Sequence, residues 1–375
     1  MAKRKDETFT LNGVMENQNK ACGEGTVGLG SRLKRDPPRL PTGVFAVDYA
    51  TGGGLPIYGS TCFWGKESGG KTSLALNTVS MAQKICWSCF RILEFCECST
   101  PAVSMKVYWA DVEGTLDRDW AEMLGVSSEE YYVGLADYGE QHVNIADAAL
   151  KADDCGLVVV DSLAAMVPEV EMDAASEQQF IGKQPAMIGR MVRKLKQRLI
   201  RERKNGHPCT LLFTNQLRIK IGQMFGDPES MPGGKGMMHE FSLLLRCVQK
   251  ALARDGADKK FADDRKKKKD FGQRHSISVK KAKVLTLAGV GEFVRCTHDL
   301  PDYGLRAGQV DDYNVALNYA KEYGIVRKDG KGWRYFDYKA RTLEDIKSVW
   351  AKSPNQHLRT KQEIIERAKE RLRGD

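Results

Sequence analysis

The 375-residue chain contains no apolar run of the roughly 18 residues that a membrane-crossing helix requires. Its opening residues, MAKRKDETF, lack the apolar segment of a secretory signal. These absences point to a soluble, intracellular protein, expected in the cytoplasm and with no membrane partner. There is no internal repeat, and no low-complexity tract apart from one lysine run. Nor does one sign of charge dominate: Lys+Arg 58 against Asp+Glu 49 leaves +9, a weak preference for a polyanionic partner that many basic enzymes share. A disulfide framework is also missing. Six of the ten cysteines (Cys22, Cys62, Cys155, Cys209, Cys247 and Cys296) are scattered singly, as suits a reducing compartment.

What is present is enough apolar residue, 42%, for a real core, in a chain long enough to divide into one large domain with smaller appendages. Residues 1–43 are polar and glycine-rich, with a helix expected around Phe9 to Gln18 and a short β-like piece at Thr26 to Leu29. Residues 44–296 alternate helical patterns with short apolar runs, YGSTCFWG, MKVYWAD, GLVVVDS, TLLFTNQ, LLLRCVQ and ISVKKAKV. Runs such as VVVD, set between helical periodicities, read as strands buried on both faces, so the core is α/β with a mainly parallel sheet. KKFADDRKKKKD, from Lys259 to Asp270, reads as a solvated charge run. Residues 297–375 form a small second unit of α+β type. There DDYNVALNYAKEYGIV reads as a helix, GWRYFDY as a strand, and the terminal helix carries Ile364, Ile365, Ala368 and Leu372 on one face.

GKESGGKT, Gly65 to Thr72, fits G-x-x-x-x-G-K-[ST] and lies between an apolar strand and a helix. Such a loop, here Gly65, Lys66, Glu67, Ser68, Gly69 and Gly70, turns backbone N–H groups inward around phosphate oxygens. Lys71 reaches the outer phosphates, Thr72 can ligate Mg²⁺, and Ser73, next at the helix start, is a further nucleotide-binding candidate. LVVVDS places Asp161 at a strand tip, where a carboxylate can hold the magnesium shell or simply cap the next turn. In KVYWADVEGTLDRDW the strand ends in Asp111 and Glu113, either of which suits activation of water or capping of a helix. TNQ supplies a fourth tip, and Gln216 is an uncharged donor able to sense a γ-phosphate. Beyond it, RIKIGQMFGDPES scatters basic, apolar and glycine residues with no period.

Between about Gly43 and Arg295 the chain resembles the RecA family of recombinases, most specifically in TGVFAVDYATGGGLP, GKESGGKT, ADVEGTLD, VVVDSLAAMVP, TNQLRIKIGQMFGDPESMPGG and VKKAKV followed by GEF. The resemblance implies a RecA-like P-loop ATPase that forms helical filaments on single-stranded DNA and catalyses homologous pairing and strand exchange. It implies ATP and Mg²⁺ as cofactors and Glu113 as general base. Asp161 would hold the metal shell, Gln216 would sense the γ-phosphate, and Asp117 and Trp120 would contact adenine. The first DNA loop would run from Glu169 to Ala186 and the second from Leu217 to about Met237. Arg193, Arg218 and Lys220 would meet phosphates, Ile221 would wedge between bases, and Gly233 and Gly234 would allow close approach. Lys281 and Lys283, two apart on a strand and so on one face, would reach the neighbouring subunit's γ-phosphate, and the N-terminal arm would pack on that neighbour. Double-stranded DNA, contacted through the C-terminal domain, and single-strand-binding or mediator proteins are the further partners implied. Two departures stand out: Ala186 replaces the family's usual arginine, with Lys183 the nearest substitute, and IIERAKERLRGD is not the acidic tail that restrains duplex binding in bacterial relatives. A RecA-like regulatory switch and a hexameric helicase on the same core remain the alternative readings, the second disfavoured by MFGDPES.

The other four cysteines fall in CWSCFRILEFCEC. The spacing of Cys86, Cys89, Cys96 and Cys98 suits tetrahedral S₄ binding of Zn²⁺, although a thiol-rich helix end without metal has the same spelling. The resemblance implies that the segment is an insertion into the short turn after the helix of the phosphate loop, at the sheet end away from nucleotide, so a structural metal is expected.

Overall fold

A computed structural model describes residues 10–24, 26–30, 36–98, 104–172, 182–219, 229–254, 270–299 and 305–374. In chain order, helix α1 (Leu11–Cys22) precedes a short pair made by β1 (Arg39–Leu40) and β2 (Leu55–Pro56), with α2 (Phe45–Thr51) between them. The central region then alternates strand and helix: β3 (Ser60–Gly65), α3 (Lys71–Ala82), β4 (Lys106–Asp111), α4 (Arg118–Met123), β5 (Tyr131–Gly134), α5 (Gly139–Ala149), β6 (Cys155–Asp161), α6 (Glu169–Met172) and α7 (Lys183–Asn205). After β7 (Thr210–Gln216) come the two-residue strands β8 (Arg218–Ile219) and β9 (Glu229–Ser230), α8 (Gly234–Met238), and the long strands β10 (Leu243–Arg254), β11 (Asp270–Ala282) and β12 (Val290–Cys296). The last part holds α9 (Tyr313–Glu322), a three-stranded sheet of β13 (Val326–Asp329), β14 (Gly332–Tyr335) and β15 (Tyr338–Ala340), α10 (Leu343–Lys352) and α11 (Pro354–Arg373).

The main sheet has the order β12-β11-β10-β3-β7-β6-β4-β5. Pairings from β10 through β5 are parallel, and those of β10 with β11 and β11 with β12 antiparallel. Alternation along each strand sends neighbouring side chains to opposite faces. Phe63, Val107, Trp109, Leu157, Val159, Leu212 and Leu245 join α3 in one core, while Trp64, Tyr108, Val158, Val160, Leu211 and Phe213 join α5 and α7 in the other. Covered on both sides, β6 is buried along its whole length, which is why its sequence is apolar from Leu157 to Val160, up to Asp161 at the tip. In α7 the apolar residues Met187, Ile188, Met191, Val192, Leu195 and Leu199 recur at helical spacing and face the sheet. A third apolar cluster gathers α9, β13, β14, α10 and α11 with Phe45 of α2.

Several local expectations need correction. Thr26 to Leu29 is not a strand: the side chain of Asn19 accepts from Val27 N at 2.7 Å and donates to Val27 O at 2.8 Å, occupying the bonds a strand neighbour would use. The first helix is Leu11–Cys22, capped by Thr10 rather than starting at Phe9, which lies outside the described residues. GWRYFDY is a hairpin, because Phe336 adopts φ 47° and turns β14 into β15. Leu372 is 61% exposed, leaving Ile364, Ile365 and Ala368 as the buried face of α11. No described helix is long and apolar enough to cross a membrane. The lysine run at 266–269 lies outside the described residues.

Candidate nucleotide and DNA site

Strand register brings the chemistry together. Gly65 pairs with Gln216, Phe213 with Val160, and Asp111 with Asp161, so four strand tips end side by side at one sheet edge. The phosphate loop leaves β3 there, and Gly70 caps α3 in the left-handed region at φ 83°. A Cβ at Gly70 would lie 2.9 Å from the ring of His275, so glycine is needed for space as well as conformation. Lys66, Glu67 and Ser68 are exposed, and Gly69 is buried. Lys71 folds back to donate to Lys66 O at 2.8 Å and Gly65 O at 3.4 Å, holding its ammonium over the loop.

Beside it, Thr72 Oγ1 donates to Asp161 Oδ2 at 2.8 Å, and Thr214 Oγ1 donates to Asp161 Oδ1. Burial raises the Asp161 carboxyl pKa, with the Thr214 and Thr72 hydrogen bonds opposing. A hydroxyl and a carboxylate facing one another are hard oxygen donors that fit Mg²⁺. Glu113 lies at the mouth of the same edge, accepting from Ser162 Oγ and, at 3.5 Å, from Gln216 Nε2. Glu113 and Gln216, read from separate strands, are therefore brought into contact. Asp111 is committed elsewhere, since its carboxylate accepts from Thr115 N at 3.3 Å and Leu116 N at 3.0 Å and shapes the turn carrying Glu113.

A cavity of about 440 Å³ opens beside the loop, walled by Ser73 and Trp120 and, across it, by Gln273, His275, Arg295 and Thr297. Trp120 Nε1 donates to Ser73 Oγ at 3.2 Å. Asp117 does not line the cavity; its carboxylate accepts from Trp120 N at 3.0 Å as the cap of α4, so it positions Trp120. The β11 and β12 residues carry no motif, and only the fold places them here. Arg295 is held by Gly308 O at 2.6 Å and Asn77 Oδ1 at 2.8 Å, and burial pushes its pKa down to about 10. His275 is 2% exposed, and burial first, then Arg295, pushes it down to about 4.

That His275 shift has a definite sign. With a folded pKa of about 4 against 6.5 ordinarily, the unfolded chain takes up the proton first. Its contribution to stability is intact above about 6.5, declines as pH falls and levels off near 4. Between pH 7 and 5 the loss attributable to this group should be about 2 kcal/mol. Burial raises Asp48 to about 7, which acts in the opposite sense, so the check is the difference in denaturation midpoints between the parent and His275→Gln at the two pH values. Parallel pH dependence of the two proteins would refute it.

The second loop leaves the tip of β7 and is bound at its base. Asn215, fully buried, donates Nδ2 to Pro232 O at 3.1 Å. Arg218 and Ser230 pair across β8 and β9, and Glu229 forms a two-pronged ion pair with Arg246 of β10. None of these ties is evident from sequence. Arg218 is exposed; Lys220 and Ile221 lie outside the described residues. Gly233 sits at φ 94°, where a Cβ would meet Met237 Sδ at 2.5 Å and Ile188 Cγ2 at 3.0 Å, so its glycine serves packing, whereas Gly234 faces open space. Arg193 is exposed on α7. Of the first loop only 169–172 and 182–186 are described; Lys183 and Ala186 are both exposed.

Lys281 and Lys283 meet two consecutive carbonyls within their own chain, and Lys283 stands just past the end of β11 at Ala282 rather than on the strand. Lys281 Nζ donates to Met238 O at 2.8 Å and Lys283 Nζ to His239 O at 2.7 Å, capping the C-terminal end of α8 just beyond the second loop. Burial and then Lys283 lower the Lys281 pKa.

The thiols of Cys86, Cys89, Cys96 and Cys98 all lie within 4.8 Å of one another. The hydrogen bond from Cys96, then those from neighbouring thiols, push Cys98 up to about 12; a divalent cation would reverse that preference by stabilising thiolates. The donor set therefore fits Zn²⁺. The cluster follows the C-terminal end of α3, a 12-residue helix spanning about 18 Å at 1.5 Å per residue, so it stands apart from the phosphate loop.

Comparison with known proteins gives the family. The model of the RecA N-terminal domain matches residues 10–291. Protein RecA of Saccharopolyspora erythraea is 30% identical over 99% of this chain and 95% of its own length. Protein RecA of Aquifex aeolicus is 34% identical over 66% of each chain, and a mitochondrial DNA repair protein recA homolog of Dictyostelium discoideum is 34% identical over 66% of this chain and 50% of its own. With a phosphate loop, a strand-tip carboxylate and a glutamine meeting at one sheet edge, this chain belongs to the RecA family, the ATP-dependent, DNA-stimulated recombinases of DNA repair and recombination.

Proposed function

We propose that nucleotide state is transmitted to DNA through the contact between Glu113 and Gln216. In this reading Glu113 accepts the proton of the water that attacks the γ-phosphate, and Lys71 neutralises charge on the outer phosphates. Thr72 and Asp161 hold Mg²⁺, which would supply further charge neutralisation at the phosphates. The carrying observation is the 3.5 Å approach of Gln216 Nε2 to Glu113 Oε1 at the tip of the strand that feeds the second DNA loop. A γ-phosphate beside Glu113 offers Gln216 a stronger acceptor, which moves the root of that loop. Family membership implies single- and double-stranded DNA as partners and self-assembly into filaments.

Residues 1–43 act as the arm for subunit packing, 44–296 as the ATPase core and 297–375 as the unit that meets duplex DNA. Arg193, Arg218, Lys220, Ile221, Gly233 and Gly234 serve the DNA strand, with single-strand-binding or mediator proteins as further partners. Trp120, positioned by Asp117, offers a face for the base, and the cysteine cluster holds a structural zinc ion. The test is a joint-molecule assay with homologous and heterologous duplex: product with homologous duplex alone supports strand exchange, and its absence while ATP is hydrolysed on DNA refutes it. Electron microscopy with single-stranded DNA and ATP separates continuous helices from the closed rings of a helicase or the isolated subunits of a switch.

Lys281 and Lys283 would leave the α8 carbonyls to reach a neighbour's γ-phosphate. Mixing Lys281→Ala, Lys283→Ala subunits with Lys71→Ala subunits should then restore part of the hydrolysis that each lacks alone. No restoration at any ratio would refute action between subunits.

A further inference from the structure

The cysteine-bearing segment touches two parts of the molecule. On one side Trp87, 1% exposed, drives its indole into the core: it donates Nε1 to Ala82 O at 2.9 Å, and a Cβ on Gly156 of β6 would meet it at 2.6 Å. On the other side the segment receives the N-terminal half of α11. Gln362 Nε2 donates to Phe90 O at 3.1 Å, and Asn355 Nδ2 donates to Glu94 Oε2 at 2.5 Å. The Arg359 guanidinium stands 4.9 Å from the Phe95 ring and 4.5 Å from that of Phe336. Leu358 packs on the same apolar cluster as Phe90 and Phe95.

Little regular structure holds these contact groups. Between α3 and β4 the described segment contains one three-residue 3₁₀ turn and one isolated bridge, Ile85 to Ile92. Phe90, whose carbonyl meets Gln362, stands at φ 61°, a conformation that costs a non-glycine residue free energy. Yet each group that touches α11 lies close in sequence to a thiol: Phe90 follows Cys89, and Glu94 and Phe95 precede Cys96. A cation bound by four thiolates would close three loops in so short a stretch and fix all of these groups at once.

We propose that a tetrahedral zinc-class cation on Cys86, Cys89, Cys96 and Cys98 makes this segment a clasp that seats the C-terminal helix α11 on the ATPase core. The inference rests on the metal-binding reading above. The clasp is not the only hold. Farther along α11, Lys369 pairs with Asp36 at 3.2 Å; within the clasped half Lys361 pairs with Asp312 at 2.6 Å and donates to Gly43 O at 3.3 Å. Loss of metal should therefore loosen residues 354–362 without detaching them, and leave 363–373 seated.

The experiment is hydrogen–deuterium exchange on the full chain, with zinc counted by elemental analysis, before and after chelation. The expected result is one zinc per chain and, once it is removed, about tenfold faster amide exchange in 354–362, with 363–373, α3 and β6 unchanged. A double variant, Arg359→Ala with Gln362→Ala, leaves the thiols intact; it should keep its zinc and reproduce the faster exchange, which keeps the proposal testable if chelated protein unfolds. Bound zinc with 354–362 indifferent both to chelation and to the double variant would overturn the clasp and leave the metal reading standing. Folded protein without zinc, even after refolding in its presence, would overturn both.

Discussion

Replacing Glu113 with glutamine should lower DNA-stimulated ATP turnover about 10²- to 10⁴-fold, the usual contribution of a positioned general base, while nucleotide affinity changes only a few-fold. The amide has the shape of the carboxylate and can still accept from Ser162 Oγ and Gln216 Nε2, so the loss isolates proton acceptance. Among the described residues no neighbouring carboxylate is suited to replace it. Asp111 is occupied by two backbone N–H groups, and Asp161 is buried with both oxygens hydrogen-bonded by threonine hydroxyls. Turnover and nucleotide binding measured on the same preparation decide the matter. A variant that hydrolyses ATP at the parent rate on DNA removes Glu113 from this role.

Replacing Gln216 with alanine should bring the single-stranded DNA affinities in ATP and ADP to nearly the same value. In the parent the two should differ by roughly 10- to 100-fold, as expected if one hydrogen bond to a charged acceptor, worth about 1.5–3 kcal/mol, is made in only one nucleotide state. Gln216 is exposed and heads no core packing, whereas Asn215 beside it is fully buried and tied to Pro232, so the substitution spares the base of the loop. Anisotropy of a labelled oligonucleotide with ATP analogue, ADP and no nucleotide measures the ratio. An unchanged ratio in the variant would place the coupling elsewhere, with Lys281 and Lys283 at the end of α8 the next residues to test.

Much of this site is legible in the sequence because its chemistry is local. A phosphate loop needs glycines, a lysine and a hydroxyl within eight residues of chain, and a strand buried on both faces must be apolar until the carboxylate at its tip. Gly65 to Thr72, Asp161 and Gln216 therefore stand out, as do the paired thiols from Cys86 to Cys98, whereas only the family resemblance separates Glu113 from Asp111. The amphipathic period of α11 is equally visible, though not where its apolar face ends, since Leu372 continues the stripe into solvent.

What only the folded chain decided are the contacts between residues distant in sequence. Pairing of Gly65 with Gln216 and of Asp111 with Asp161 is a matter of register, which short apolar runs leave open because any parallel neighbour can satisfy them. The wall of Gln273, His275 and Arg295 exists because two antiparallel strands extend the sheet past the loop. The hold of Asn215 on Pro232, the capping of α8 by Lys281 and Lys283, and the reach of α11 to the cysteine segment each join side chains to backbone groups far along the chain. Backbone groups carry no residue identity, so no pattern of letters announces which side chain will meet them; tertiary packing alone chooses the partner.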